Sequence, residues 1–427
     1  MSTTIGPAPT AGGVLDAIER RAWRIRMPTR RLIVVLASMT AGVVIVASLT
    51  AAWVAARNNA TIHDARVQGL GVASATTQFR TSLAAADAEA SGSLIAGGID
   101  VPEPEKDYAA HLDDAARALS AAALAGTADD RRDLRELSSG LVEYTALVEE
   151  ARANSRQGFP VGATYMARAH RLAADELVPT ANHLRREGEQ RVARAAASVS
   201  GPFGVLAIVL LVAAAAAVVV ASAVIAGRTH RMLHPALVAA AVFAVVSTLV
   251  MAYGITRQFT QLRDAATNEV DTYFETNDIS YALAQLRVTE LSAVAARGSG
   301  APLYEQFHEE SATLDDLVSG NRNLAGKVDA YVAGEAAVEE ADMAGDNREA
   351  ARRALGDPSA TGAASATGYN DAATSVEGYV DVAGDALADR IEGAEGASIN
   401  PFVPLALGAL AAGLAAAGIL YRGRRYR

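Results

Sequence analysis

The sequence predicts an all-α membrane protein, with four transmembrane helices and two extracytoplasmic four-helix-bundle-like domains in tandem repeat. Three observations predict it. Four long apolar runs interrupt the chain, basic residues crowd one side of them, and the two intervening segments are almost equal in length.

The runs are 32–56, 203–227, 235–256 and 402–421. Each has the roughly 20 residues that a helix needs to cross the hydrocarbon core. None contains Asp, Glu, Lys or Arg, whereas Arg30, Arg31, Arg57, Arg228, Arg257 and Arg422 stand at their flanks. A charge at mid-bilayer costs about 2.5–3.5 kcal/mol, so this avoidance favours spans over buried soluble helices. The first run is too long for a signal-peptide core and comes after a polar tail, so it is expected to remain uncleaved.

Orientation is set by the basic residues. Tail 1–31 carries Arg20, Arg21, Arg24, Arg26, Arg30 and Arg31. Loop 228–234 carries Arg228 and Arg231, and tail 422–427 carries Arg422, Arg424, Arg425 and Arg427. Against these stand only Asp16 and Glu19, although the whole chain is acidic, with a net charge of -10. Both termini and the short loop are therefore expected inside the cell, and segments 57–201 and 257–400 outside.

Those segments match at a constant offset of 200. Trp53, Arg57, Ile62, Asp64 and Ala65 correspond to Tyr253, Arg257, Leu262, Asp264 and Ala265. At the far ends, Ala197, Ser198 and Val199 correspond to Ala397, Ser398 and Ile399, and a Pro-Phe step comes next in each. Membrane boundaries favour Arg and aromatics anyway, which accounts for Arg57 and Arg257 but not for the Asp-Ala and Ala-Ser pairs. A tandem repeat of helix, ectodomain and helix fits better, with its axis along the membrane normal.

Within the first ectodomain, Gly and Pro breaks predict helices at 57–96, 106–125, 129–157 and 163–199. Leu134, Leu137, Leu141, Tyr144, Leu147 and Val148 form an i, i+3, i+4 stripe that reads as core. Short turns then give an up-down-up-down bundle. The second ectodomain breaks near 298–302, 320–326 and 356–368, with looser boundaries.

Cys is absent, which removes disulfides, thiol nucleophiles and Cys-based metal sites. No phosphate-binding Gly loop or catalytic-triad spacing occurs. The inner segments total only about 44 residues, too few for a kinase or cyclase. No enzyme activity, cofactor, metal site or nucleic-acid partner is expected. His230 and His234 are four apart, but two ligands rarely make a metal site, and beside Arg228 and Arg231 they suit a loop anchored to headgroups. Glu309 and Glu310 beside His308 read as a solvated helix face. The spans also lack the ionisable groups that a transporter uses for coupling.

Three features remain as binding candidates. Residues 14–26 place Val14, Leu15, Ile18, Ala22 and Ile25 on one face, with Trp23 and several arginines, so they could lie on the inner leaflet or dock a cytoplasmic protein. Gly408, Ala412 and Ala416 have the spacing that lets helices approach closely. At the membrane-distal tip, loop 97–105, with Asp100, Glu103 and Glu105, should meet loop 154–162. Arg152, Asn154, Arg156 and Gln157 there offer forked donors for a carboxylate or a partner's polar edge, or they are ordinary solvated turn residues.

Stretches 87–98 (DAEASGSLIAGG) and 144–162 (YTALVEEARANSRQGFPVG) resemble an actinobacterial family of four-span membrane proteins with two ectodomains, the GlnX-like family. The resemblance is densest over 80–165. It implies a transducer that passes amino-acid availability from an extracytoplasmic solute-binding lipoprotein, GlnH in that family, to a cytoplasmic Ser/Thr kinase, PknG. On that reading Arg24, Arg26, Arg228 and Arg231 would face the kinase. Membrane lipids are further partners, and a homodimer is one candidate assembly. The resemblance assigns no ligand residues. The competing reading is an envelope scaffold or assembly protein with no signalling role.

Overall fold

The computed structural model describes residues 29–96, 104–157, 161–199, 201–229 and 235–424, and every regular element among them is helical. In chain order they are α1 (Thr29–Asp64), a π segment (Ala65–Leu70), α2 (Gly71–Ile95), α3 (Pro104–Ala125), α4 (Arg131–Arg156), α5 (Val161–Leu172), a second π segment (Ala173–Leu177) and α6 (Val178–Val199). Next come α7 (Pro202–Thr229), α8 (Pro235–Asp264), a third π segment (Ala265–Glu269), α9 (Val270–Ala295), α10 (Ala301–Val318), α11 (Arg322–Met343), α12 (Asn347–Leu355), α13 (Ser365–Gly396) and α14 (Phe402–Arg424). Four helical stretches, starting at Val34, Val161, Pro235 and Phe402, contain windows apolar and long enough to cross a membrane.

The chain divides into two compact units. One, the apolar unit, comprises Met1–Ile62, Ala197–Thr260 and Gly393–Arg427; the other, the polar unit, comprises His63–Ala196 and Gln261–Glu392.

Within the apolar unit the helices meet through small side chains. Ala47, Ala51, Ala55, Ala207, Ala214, Ala240, Ala411 and Ala415 share one buried cluster with Val44, Leu211 and Met251. Outward-facing Met39, Val46, Leu49, Val209 and Val242 are apolar too, as a surface solvated by lipid requires. The small-residue spacing in α14 is used. A Cβ on Gly408 would collide with Ser48 Oγ, and Ala412 is buried, while Ala416 is half-buried. Trp53 and Phe203 pack edge to face at 5.6 Å, with the Arg57 guanidinium 4.9 Å from the Phe203 ring centre. Asn59 donates to the Ile399 carbonyl at 3.1 Å and accepts from the Gln258 amide at 3.1 Å.

The polar unit holds two helical bundles. All six residues of the stripe on α4 lie in the core of the first, together with Phe79 and Leu83 of α2, Tyr108 and Leu119 of α3, Met166 of α5 and Leu184 of α6. In the second, Leu283 and Leu286 of α9 meet Phe307 and Leu314 of α10, Val328 and Tyr331 of α11, and Val376 of α13. Among the described residues, the breaks at 126–127 and in the second bundle lie near those expected from the sequence, although Pro302 lies inside α10 and Gly368 inside α13. Gly326 lies inside α11, and the additional short helix α12 precedes the break at 356–368. Gly345 at φ 82° ends α11, the Asp346 side chain caps α12 through the Glu349 amide at 3.1 Å, and Gly356 at φ 71° closes it. Gly supplies these left-handed positions without a Cβ clash.

The two bundles bury apolar surface against each other through α2 and α9. Ala88 and Ile95 pack with Val288, Leu291 and Val294, joined by Val338 of α11 and Ala350, Ala351 and Ala354 of α12. Farther along, Ala73 and Val192 of the first bundle pack with Phe274, Leu387 and Ile391 of the second. Alanine on α2 makes this closeness feasible, because ridges of small side chains let helix axes approach.

Arg24, Arg26, Arg231, His230, His234, Asp100 and Glu103, the 14–26 stretch and the 158–160 turn lie outside the described residues. Arg228 belongs to α7 and Glu105 to α3.

Candidate functional site

A cavity of about 520 Å³ opens between the bundles, walled by α2, α5 and the second π segment on one side and by α9 on the other. Its surface is mainly apolar, from Leu83, Leu94, Met166, Val178, Val288 and Leu303. Such a lining with a few convergent polar groups is the usual form of a small-molecule site.

The polar groups converge on Asp87, a carboxylate set among alanines midway along α2 and only 5% exposed. Its Oδ1 accepts from the Tyr144 hydroxyl at 2.8 Å, and its Oδ2 lies 2.6 Å from His170 Nδ1. Burial opposes protonation of the His170 ring, but the Asp87 charge and hydrogen bond outweigh it and hold the imidazole above its ordinary value. Burial, reinforced by Asp87, also pushes the Tyr144 hydroxyl well up, so it stays a neutral donor. With Nδ1 committed to Asp87, His170 turns Nε2 toward the Ser91 hydroxyl at 3.4 Å and the Ser292 hydroxyl at 3.5 Å. Ser91 comes from the first bundle and Ser292 from the second, so both bundles supply the polar end.

Local backbone geometry aims these groups. His170 sits in the last turn of α5, just before the π segment whose Ala173 and Ala174 line the cavity. A π turn carries one extra residue, so it rotates the side chains on its N-terminal side relative to those on its C-terminal side; such turns recur at functional sites.

The Asp-His-Ser order invites comparison with a nucleophilic triad. Both hydroxyls stand beyond the usual nucleophile-base reach of about 3.2 Å, and Ser91 already donates to the Asp87 carbonyl at 2.9 Å. An imidazole whose protonated form is favoured by Asp87, set beside two hydroxyls, is suited to hold the acceptor end of a ligand.

A second cavity, of about 970 Å³, is lined by Glu89, Asp107, Asp114, Glu377, Asp381 and Asp385. That charge repels anionic ligands, which leaves the Asp87–His170 cavity as the better fit for a ligand with an acceptor end.

The second bundle carries a related buried motif. Tyr331 of α11 donates to Glu290 of α9 at 2.8 Å, as Tyr144 of α4 does to Asp87 of α2. Here the counter-charge is Arg287, 2.6 Å from the same carboxylate, and Ser365 completes the network.

The sequence-derived tip residues are placed differently from one another. Arg152 is buried, stacked 4.0 Å from the Tyr108 ring centre and bonded to Ser93 Oγ at 3.2 Å and Glu149 at 3.1 Å. Its Nη2 has no hydrogen-bond partner among the described residues, and the side chain is buried rather than presented at the surface. Asn154 is half-buried, its amide donating to the Glu150 carbonyl at 2.8 Å, while Arg156 and Gln157 are exposed. None of them lines the cavity. Sequence reasoning passed over Asp87, His170 and Ser292 as a site. The one available signal was a lone Asp on an otherwise Ala-rich helix face.

No curated protein and no solved structure matches the chain significantly. Residues 62–197, which span the first bundle and carry Asp87, Tyr144 and His170, match the family described as the actinobacterial sensor domain, and that family indicates a sensing role.

Proposed function

We propose that the protein is a transmembrane signal transducer and not an enzyme, and that its signal enters through the Asp87–His170 cavity. The observation that carries this reading is that both bundles wall the cavity. A ligand bound there stabilises one packing of the bundles over another, which is what a two-state sensor requires. Met166, Val288 and their neighbours suit an apolar side chain, and His170 with Ser292 suits a carboxylate, so a small apolar amino acid fits. The GlnX-like resemblance supports the same ligand class, delivered by a solute-binding lipoprotein and reported to a cytoplasmic Ser/Thr kinase.

In this reading the polar unit lies outside the cell, Arg156 and Gln157 dock the lipoprotein, and Arg24, Arg26, Arg228 and Arg231 face the kinase. The bundles are tandem copies. Support for the duplication comes from π segments that begin at Ala65 and Ala265, 200 residues apart, each directly after an Asp.

The test is a thermal-shift and calorimetric screen of the purified full chain against amino acids, with Ser292→Leu and His170→Gln as variants. Saturable binding lost in both variants, with their helicity kept, is the expected result. Binding by neither the parent chain nor its mixture with the lipoprotein would remove the cavity as the signal's point of input. Envelope defects on deletion, with amino-acid responses intact, would favour the scaffold instead.

A further inference from the structure

We propose that His308 of α10 and Glu335 and Glu339 of α11 form a binding site for a divalent transition-metal ion, Zn2+ being the best match. One ligand atom from each residue lies within 4.8 Å of the other two. Glu335 and Glu339 are four apart and therefore share a helix face. His308 Nε2 already stands 3.4 Å from Glu339 Oε2. Ligands held at about 2.0–2.2 Å in a tetrahedron are separated by about 3.4 Å, so this pair has the required spacing without rearrangement.

Glu335 supplies an independent reason. It is 0% exposed, and neither carboxylate oxygen has a hydrogen-bond partner among the described residues. Buried carboxylates are ordinarily paired, hydrogen-bonded or bound to metal. The neighbouring Glu290 obeys that rule through Arg287, Tyr331 and Ser365. Glu335 does not, and Glu290 and Glu339 add negative charge around it. A cation arriving at its oxygens would relieve both the desolvation and the repulsion.

The donor chemistry selects the ion. One imidazole and two carboxylates are harder than a thiolate set and softer than the all-oxygen cages of Ca2+, which points to Zn2+ with water in a fourth position. His308 has a half-exposed side chain, so an ion can reach the site from solvent while Glu335 anchors it from within. This site is separate from the Asp87 cavity and stands or falls without it.

The full chain, purified in lipid nanodiscs and stripped with chelator, would be titrated with Zn2+ against a chromophoric competitor. One strong site per chain is expected, and Co2+ in its place should show the intense visible bands of tetrahedral coordination. His308→Ala and Glu339→Gln should each weaken binding at least about tenfold, and Glu335→Gln, which keeps the shape of the protonated acid, should abolish it. His308 is peripheral, so its variant remains informative if a buried substitution disrupts folding. No saturable Zn2+ binding, or binding unchanged in the His308 and Glu339 variants, would overturn the proposal and leave Glu335 as a buried neutral acid.

Discussion

Arg80 of the first bundle donates a hydrogen bond to Asp278 of the second, forming an ion pair between α2 and α9. The Arg80 side chain is 5% exposed and Asp278 is 36% exposed. A second donor from Arg80 reaches Asn182 at 3.0 Å, its guanidinium lies 4.5 Å from the Tyr281 ring centre, and Arg185 approaches Asp278 at 3.8 Å. The pair therefore adds a charged pin to a contact built mainly from alanine, aliphatic and Phe274 side chains.

Arg80→Ala should destabilise the folded chain by about 1–3 kcal/mol, below the full cost of splitting a buried pair because Asp278 reaches solvent. Thermal melts of Arg80→Ala, Asp278→Ala and the double variant would reveal it. Additive losses would mean that the pair contributes no coupling.

Glu290 behaves differently because its partners are also buried. Glu290→Ala strands Arg287 without its counter-ion and should cost about 3–5 kcal/mol. Replacing both by Met should cost less than Glu290→Ala alone, since no uncompensated charge remains. Denaturant unfolding of the three variants provides the comparison.

Stability should depend on the protonation of His170. Its value in the folded chain lies above the ordinary 6.5, because Asp87 outweighs burial. A raised value means that the folded state binds the proton more tightly than the unfolded chain. The contribution is therefore complete below about pH 6.5 and is lost as pH rises through the raised value. The melting temperature should fall over that window, and His170→Gln should flatten this part of the profile. An equal fall in the variant would assign it to another group.

At Gly188, α6 packs tightly against the first π segment and α2. A Cβ there would meet the Gly69 carbonyl oxygen at 2.5 Å and the Ala73 Cβ at 2.9 Å. Backbone cannot swing aside as a side chain can, so Gly188→Ala should cost about 1–3 kcal/mol through overpacking. Gly378, with open space around it, is the control, and Gly378→Ala should be neutral or slightly stabilising because Ala favours a helix interior. Both effects can be read from denaturant midpoints.

The helical class, the four apolar runs, the core stripe on α4 and most helix boundaries are legible in the chain before it folds. Each of these depends on local physics: the transfer of side chains into hydrocarbon, the 3.6-residue period, and the dihedral preferences of Gly and Pro. Packing in three dimensions was needed to bring both long segments into a single unit, and with it to form the cavity. Asp87 and His170 are 83 residues apart, and His170 and Ser292 are 122 apart; no period in the chain encodes those distances. Packing also selected which of many similar charges are buried. Arg152 and Arg156 lie one turn apart on the same helix, as do Glu335 and Glu339. In each pair one side chain faces the core and the other is more exposed, because a helix turns by about 400° over four residues and a bundle edge passes between them.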